Sequence, residues 1–375
     1  VYKIGILTFY DSDNYGTCLQ AFALSNIIRN LGYESNILNF NRKENSKKKS
    51  KISIIKKLGL KKTIILLISK KAIEKQKKYF VQFRNKLPIT SKKYDSFNAL
   101  KLDANKYNGF VTGSDMVWSW ESKEFLDIYF LKFAPEGKKI AYAPSFGNSW
   151  SQIEAVKYYS KALKSIDFCS CRELNGVKFI EEISKKQCEL VLDPTFLMTA
   201  DEWKITFNLK EKNHTSKKIA LCYMFGDLNK DFLKKLEKVT EKEYEIQYIP
   251  GTLKQYIYEY VHNRDVCGPS EFLQRYCMAD VIITNTYHGL VFSLIFNKPF
   301  ILLHRDNREY WVKHEERMVS LLNILGLSDR YLTLNSDISK KSFELDYTSI
   351  NNKIESLRKS SKKYLYESLK KVSAV

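Results

Sequence analysis

Lys3-Ile-Gly-Ile-Leu-Thr-Phe9 is a short, almost unbroken apolar run that stops at a polar loop, residues 10–16. A strand of this kind is covered on both faces, which is the pattern of a parallel sheet with helices packed on either side. Leu19, Phe22, Ala23, Ile27 and Leu31 then recur at helical spacing, and Gly32 reads as the helix terminator. A second strand follows at 35–40. The unit then repeats: 109–112 runs into Gly113-Ser114-Asp115, 139–143 into Pro144-Ser145-Phe146-Gly147, 167–171 into Arg172-Glu173, and 189–192 into Asp193-Pro194-Thr195. A second series has strands at 219–225, 245–249, 281–284 and 300–303, with helices at 231–239, 270–278 and 288–296 between them. In a parallel sheet the loops that follow the strands gather at one edge, where ligands bind. The expected class is therefore α/β.

A chain of 375 residues exceeds one ordinary core, and 44% hydrophobic content supplies two. The expected division is an N-terminal Rossmann-like domain at 1–209, a C-terminal one at 210–345 with a polar linker near 210–218, and a charged helical tail at 346–375 packing back on the first domain. The seven cysteines form no CxxC pair and mostly sit in apolar runs, so reduced thiols in a cytoplasmic protein are expected. The strand-like start suggests no signal peptide. The five histidines show no HxxxH or HxH spacing, so no metal site is expected.

The net charge of +20 is local. Residues 41–93 hold nineteen Lys and Arg against two acids, which leaves only +3 for the rest of the chain. No nucleic-acid motif accompanies this charge, so nucleic acid is not an expected partner. Residues 41–93 read as a basic helical insertion. Two readings stay open for it: a solvated face, or attachment to the anionic inner surface of the membrane, where each Lys contributes about 1 kcal/mol.

The richest stretch is Gly268-Pro-Ser-Glu271, followed by Thr284-Asn-Thr-Tyr-His-Gly289. Ser270 and Glu271 suit a helix start. A strand at 281–284, a tight turn and a helix from His288-Gly289 aim backbone N–H groups and the positive end of the helix dipole at one point. That is a site for phosphate or carboxylate. His288 at its mouth can donate a hydrogen bond or move a proton, or can simply cap its helix.

Taken together, 3–9 with Asn14-Tyr15-Gly16, Gly113-Ser-Asp-Met-Val-Trp118, Tyr142-Ala-Pro-Ser-Phe-Gly147, Ser170-Cys-Arg-Glu173, Leu192-Asp-Pro-Thr195, Gly268-Pro-Ser-Glu271 and Thr284–Gly289 running into 292–300 resemble the polysaccharide pyruvyl transferase family. Each motif is weak alone; their order and number are specific. The resemblance implies two Rossmann-like domains arranged as in the GT-B glycosyltransferases, with the active site in the cleft between them. It also implies phosphoenolpyruvate as donor, a cell-surface glycan or its lipid-linked precursor as acceptor, a pyruvate ketal and phosphate as products, and no cofactor.

On that resemblance His288 and Asp115 are the catalytic candidates, the second either deprotonating an acceptor hydroxyl or capping a helix. Arg172, His288, Gly289, Gly268 and Glu271 are the donor-binding candidates, Arg172 otherwise being an ion-pair partner of Glu173. Asn14, Tyr15, Gly16, Ser114 and Ser145 are acceptor-binding candidates; Asp11 and Asp13 line the same loop or form its turn. One departure stands out. Some members have Arg-Leu-His-Gly where this chain has Thr286-Tyr287-His288-Gly289, and Arg172, Lys298, His304 and Arg305 are the candidates to replace that charge. The rival readings are a GT-B glycosyltransferase using a nucleotide sugar, with Glu271 on its ribose, and a glycan-binding protein without catalysis.

Overall fold

The computed structural model describes residues 2–40, 60–147, 153–212, 217–305 and 315–374, without the side chains of 60–68. The first unit is built from β1 (Lys3–Leu7), α1 (Tyr15–Asn30), β2 (Glu34–Phe40), α2 (Leu60–Arg84), β3 (Ile89–Tyr94), β4 (Gly109–Thr112) and β5 (Lys139–Ala141). Its five strands are all parallel, in the order β3-β2-β1-β4-β5. Beyond β5, a bridge from Ile140 to Phe168 leads to the short parallel pair β6 (Ser170–Cys171) and β7 (Glu189–Leu190).

The second unit has β8 (Lys218–Tyr223), β9 (Tyr244–Tyr248), α3 (Leu253–Val261), α4 (Pro269–Met278), β10 (Val281–Thr284), α5 (Tyr287–Ile295), β11 (Phe300–Leu303), α6 (Glu316–Leu325) and β12 (Tyr331–Leu332). Its sheet is again parallel throughout, in the order β12-β11-β10-β8-β9. Both sheets reverse their strand order once, between β1 and β4 in the first and between β8 and β10 in the second. At such a point the flanking loops diverge and leave a crevice at the carboxyl ends of the strands. The chain is thus a pair of Rossmann-like units in a GT-B-like arrangement, and their two crevices meet.

Apart from Lys3 at the start of β1, the central strands are buried throughout, as their apolar sequences require: Ile4, Ile6, Val281, Ile282 and Ile283 are fully inaccessible. One apolar core runs through both units. Phe22 and Trp203 meet Phe207 on one side, Trp203 meets Phe292 on the other, and Tyr15 stacks on Phe272 at 4.8 Å. The last helix, α7 (Thr348–Ser373), starts beside the second unit, where Tyr347 Oη donates to the Lys298 carbonyl at 2.6 Å. It ends on the first sheet, where Tyr364 Oη donates to the Ala141 carbonyl and Val372 packs over Gly109. All seven cysteines are buried and free.

The structure corrects the reading of 41–93 as one insertion. Its end, Ile89–Tyr94, is β3, the edge strand of the first sheet, paired with β2. Its alternation is too short and too Lys-rich to read as a strand, and only pairing with β2 makes it one. The second half of α2 is structural as well. Phe80 and Phe83 are buried, Arg84 pairs with Asp13 at 2.9 Å, and Lys75 pairs with Asp265 at 2.5 Å. Gln76 bridges the units, donating to Tyr15 Oη at 2.7 Å and accepting from Tyr256 Oη at 2.5 Å. Residues 41–59 lie outside the described residues.

Candidate active site

The loops after β1, β4, β8 and β10 enclose a hollow of about 220 Å³ between the units. Phe9, Asn14, Thr17, Asp115 and Met116 line it from the first unit; Tyr223, Phe225, Thr286, Tyr287, His288, Arg305 and Arg317 line it from the second. Its volume falls below the roughly 300–1,000 Å³ usual for drug-sized ligands, so it suits a small, strongly polar molecule.

Asp115 is held in the left-handed region, with φ 73°, where Asp is tolerated better than most residues. Its carbonyl accepts from the Ser145 N–H at 2.9 Å, and its Oδ1 accepts from the Met116 N–H at 2.9 Å. Those bonds turn Oδ2 toward Thr17, whose hydroxyl donates to it at 2.7 Å. Burial works against the Asp115 charge, but Arg172, His288, Thr17 and Arg317 outweigh it and hold the carboxyl below its ordinary value. Asp115 is ionised at neutral pH and can receive a proton.

Beneath the hollow lies a buried polar knot. Asp193 Oδ2 accepts from Arg172 Nη1 and from Ser114 Oγ, both at 2.7 Å, while Oδ1 accepts from the Thr195 N–H and hydroxyl. Arg172 is fully buried and sits 4.4 Å over the Tyr287 ring. Burial opposes its charge; Tyr287, Asp193, Glu173 and Asp115 hold it on. Burial likewise opposes the Asp193 carboxylate, yet His288 and Arg172 drive it far below its usual value. Breaking such a pair from one side costs about 3–5 kcal/mol, because the other charge is left stranded.

His288 belongs to the first turn of α5, whose N-cap is Thr286, with its hydroxyl accepting from the Gly289 N–H at 3.0 Å. His288 is 8% exposed, and its ring lies against Gly16 of α1, where a Cβ would stand 1.9 Å from Nδ1. Gly16 is thus required by a close approach between the two units. Gly289 has the same cause within its own unit: a Cβ there would meet the Thr284 hydroxyl at 2.0 Å.

Two guanidinium groups complete the hollow. Arg305 follows β11; its Nε donates to the Asn285 carbonyl at 2.8 Å, and its carbon lies 5.1 Å over the Phe225 ring. Arg317, in the first turn of α6, lies 5.4 Å from the Tyr287 ring that Arg172 also covers. Burial, together with Arg172 and Arg305, pulls Arg317 down to about 10. Cations crowded in this way gain from an incoming anion, which relieves their mutual repulsion.

The expected residues fall into three groups. Asp115, His288 and Asn14 line the hollow, while Gly16 and Gly289 shape it from behind. Arg172 and Ser114 meet in the knot below it, and Ser145 lies deeper, donating to Glu173 Oε1. Three lie elsewhere. Tyr15 donates to the Cys267 carbonyl within the core between the units. Gly268 and Glu271 form the N-terminal cap of α4, with Gly268 pressed against Tyr79 of α2. They build the junction under the site and do not line it. Of the charge candidates, Arg305 lines the hollow. Lys298 donates to the Cys277 carbonyl, and His304 stacks on Tyr331 beside Glu315. Asp13 is engaged by Arg84. Sequence reasoning did not single out Arg317, Thr17 or Asp193. Arg317 opens an ordinary amphipathic helix and carries no motif; Asp193 belongs to Leu192-Asp-Pro-Thr195, where an Asp before Pro reads as no more than a turn former.

The profile of the polysaccharide pyruvyl transferases matches residues 14–307, most of the chain and every residue that lines the hollow except Phe9 and Arg317. The chain belongs to the polysaccharide pyruvyl transferase family. Among curated proteins no sequence matches this transferase significantly. Solved structures similar to it include a protein described as a UDP-N-acetylglucosamine 2-epimerase from Listeria monocytogenes, with TM-score 0.49 and 10% identity over 98% of this chain and 91% of that one. A variant of the wall teichoic acid polymerase TagF gives 0.49 and 11% over 100% and 89%. UDP-GlcNAc 2-epimerase from Neisseria meningitidis bound to UDP-GlcNAc gives 0.45 and 9% over 96% and 100%. Likeness at this level says nothing about what the transferase binds. Among the described residues, no helix is long and apolar enough to cross a membrane.

Proposed function

We propose that this transferase moves the pyruvyl group of phosphoenolpyruvate onto two hydroxyls of one sugar in a surface polysaccharide or its lipid-linked precursor. The observation that carries the reading is the small cationic hollow between the units, with an ionised carboxylate on one wall and an imidazole on the other. Arg305 and Arg317 suit the phosphate and carboxylate of the donor, and supply the charge missing at Thr286. His288 gives a proton to the methylene carbon, and the resulting oxocarbenium-like centre is attacked by the first hydroxyl. That hydroxyl's proton passes to Asp115. The second hydroxyl then displaces phosphate. Asp115 then returns its proton to His288 through water, so that over one turnover one hydroxyl proton ends in the new methyl group and the other leaves with phosphate, and no cofactor is needed.

The same reading places the enzyme at the anionic inner face of the membrane. Lys70, Lys71, Lys77 and Lys78 are exposed on α2 and continue the basic run that precedes them. Since Phe80 and Phe83 are occupied inside the protein, attachment through this half of the helix is by charge and weakens with salt.

The test is incubation with phosphoenolpyruvate and a panel of synthetic and lipid-linked glycans, followed by mass spectrometry for a pyruvate adduct and a phosphate assay. Phosphate release matched by adduct is expected. Thermal stabilisation by nucleoside diphosphates but not by phosphoenolpyruvate, with no adduct, would replace the reading by nucleotide-sugar glycosyl transfer. Sedimentation with phosphatidylserine vesicles at two salt concentrations checks the membrane part.

A further inference from the structure

His288 Nε2 is buried and has no hydrogen-bond partner, yet it lies 3.7 Å from Asp193 Oδ2. The same carboxylate is fixed from every other direction: Arg172 and Ser114 on Oδ2, the Thr195 amide and hydroxyl on Oδ1. Asp193 is itself 1% exposed and the N-cap of the turn Pro194–Leu197, so it cannot swing away. On the other side, Gly16 presses on the ring at Nδ1 and Tyr287 meets it edge-on at 5.2 Å. The charged groups facing the pair are Arg172 and Asp115, with Arg317 beyond Tyr287. An imidazole whose inner nitrogen faces a fixed carboxylate has its tautomer and orientation decided for it.

We infer that Asp193 is a positioning residue for pyruvyl transfer: it holds the Nε2–H of His288 inward and leaves Nδ1 as the nitrogen that exchanges a proton with the donor. Asp193 does not line the hollow and touches no ligand there. Its part in catalysis runs through His288, whereas its bonds to Ser114, Arg172 and Thr195 hold the carboxylate still and keep Arg172 paired. This rests on the pyruvyl-transfer reading above and assigns, within it, the residue that makes His288 a directed acid.

The experiment is a double-mutant cycle on Asp193→Asn and His288→Asn, with kcat and KM for phosphoenolpyruvate measured separately on a glycan that the wild type turns over. Asn keeps the shape of Asp193 and removes its charge. Asp193→Asn is expected to lower kcat by about 10²-fold or more, with KM changed by less than about threefold. In the His288→Asn background it is expected to cost almost nothing further. Fully additive losses, or a loss confined to KM, overturn the role. A second measurement needs no folded variant of Asp193. In the wild type with labelled histidine, the His288 signal, assigned by its disappearance in His288→Asn, is expected to show a slowly exchanging proton on Nε2. A ring protonated only on Nδ1 refutes the inference. No turnover of any glycan by the wild type ends the pyruvyl-transfer reading and this role with it; turnover with an additive cycle ends only the role.

Discussion

Gly16→Ala tests the contact on which the site depends. In a helix this change ordinarily stabilises by about 0.5–1 kcal/mol, because glycine loses more freedom on folding. Here the new Cβ would stand 1.9 Å from His288 Nδ1 and 2.2 Å from Cγ, where ordinary contact begins near 3.4 Å. The ring must therefore retreat by about 1.5 Å, or the two units must part by that amount. Retreat is blocked: Nε2 already faces Asp193 at 3.7 Å, and α5 is anchored where Gly289 sits on Thr284. Overpacking of this kind costs about 1–3 kcal/mol, which outweighs the helical gain and reverses the sign. Displacing a reacting group by about 1 Å costs on the order of 10²-fold in rate. Urea unfolding and kcat with phosphoenolpyruvate should show both losses. The double variant Gly16→Ala with His288→Ala should recover much of the stability and none of the rate. Wild-type stability and kcat in Gly16→Ala would refute the argument.

Arg305→Ala and Arg317→Ala should each weaken phosphoenolpyruvate binding about 10- to 100-fold, the worth of a charge-assisted hydrogen bond, whereas Lys298→Ala should leave it unchanged; calorimetric titration decides. The carboxyls of Asp193 and Asp115 both titrate below their ordinary range in the folded protein. The stability they contribute is present above about pH 4, their unfolded value, and is lost as pH falls through the lower folded values. A series of melting temperatures from pH 6 to 3 should fall more gently for Asp115→Asn than for the wild type. Gln76→Ala removes the bonds to Tyr15 and Tyr256 and should cost about 1–3 kcal/mol in urea unfolding, with KM rising as the two units lose register.

The strands of both sheets other than β3 and β12, and the loops that carry Asp115, His288 and Arg172, were legible in the sequence. Buried parallel strands write themselves as continuous apolar runs, and the polar residues just after them are placed by that fact alone. Local pattern could not show that β3 is a strand, since its lysines face outward on an edge. Nor could it show that half of the basic α2 is a strap between the units.

Sequence by itself determined the fold class, the ordering of the βα units and the family, because each depends on periodicity and spacing within a few dozen residues. Tertiary structure alone decided which groups share the site. Arg317 opens a helix with no motif, Gly16 and His288 stand on different units, and Asp193 faces His288 only because the two crevices are pressed together. Charge and shape converge there through packing across the two sheets, and side-chain periodicity carries no record of which surface another unit will cover.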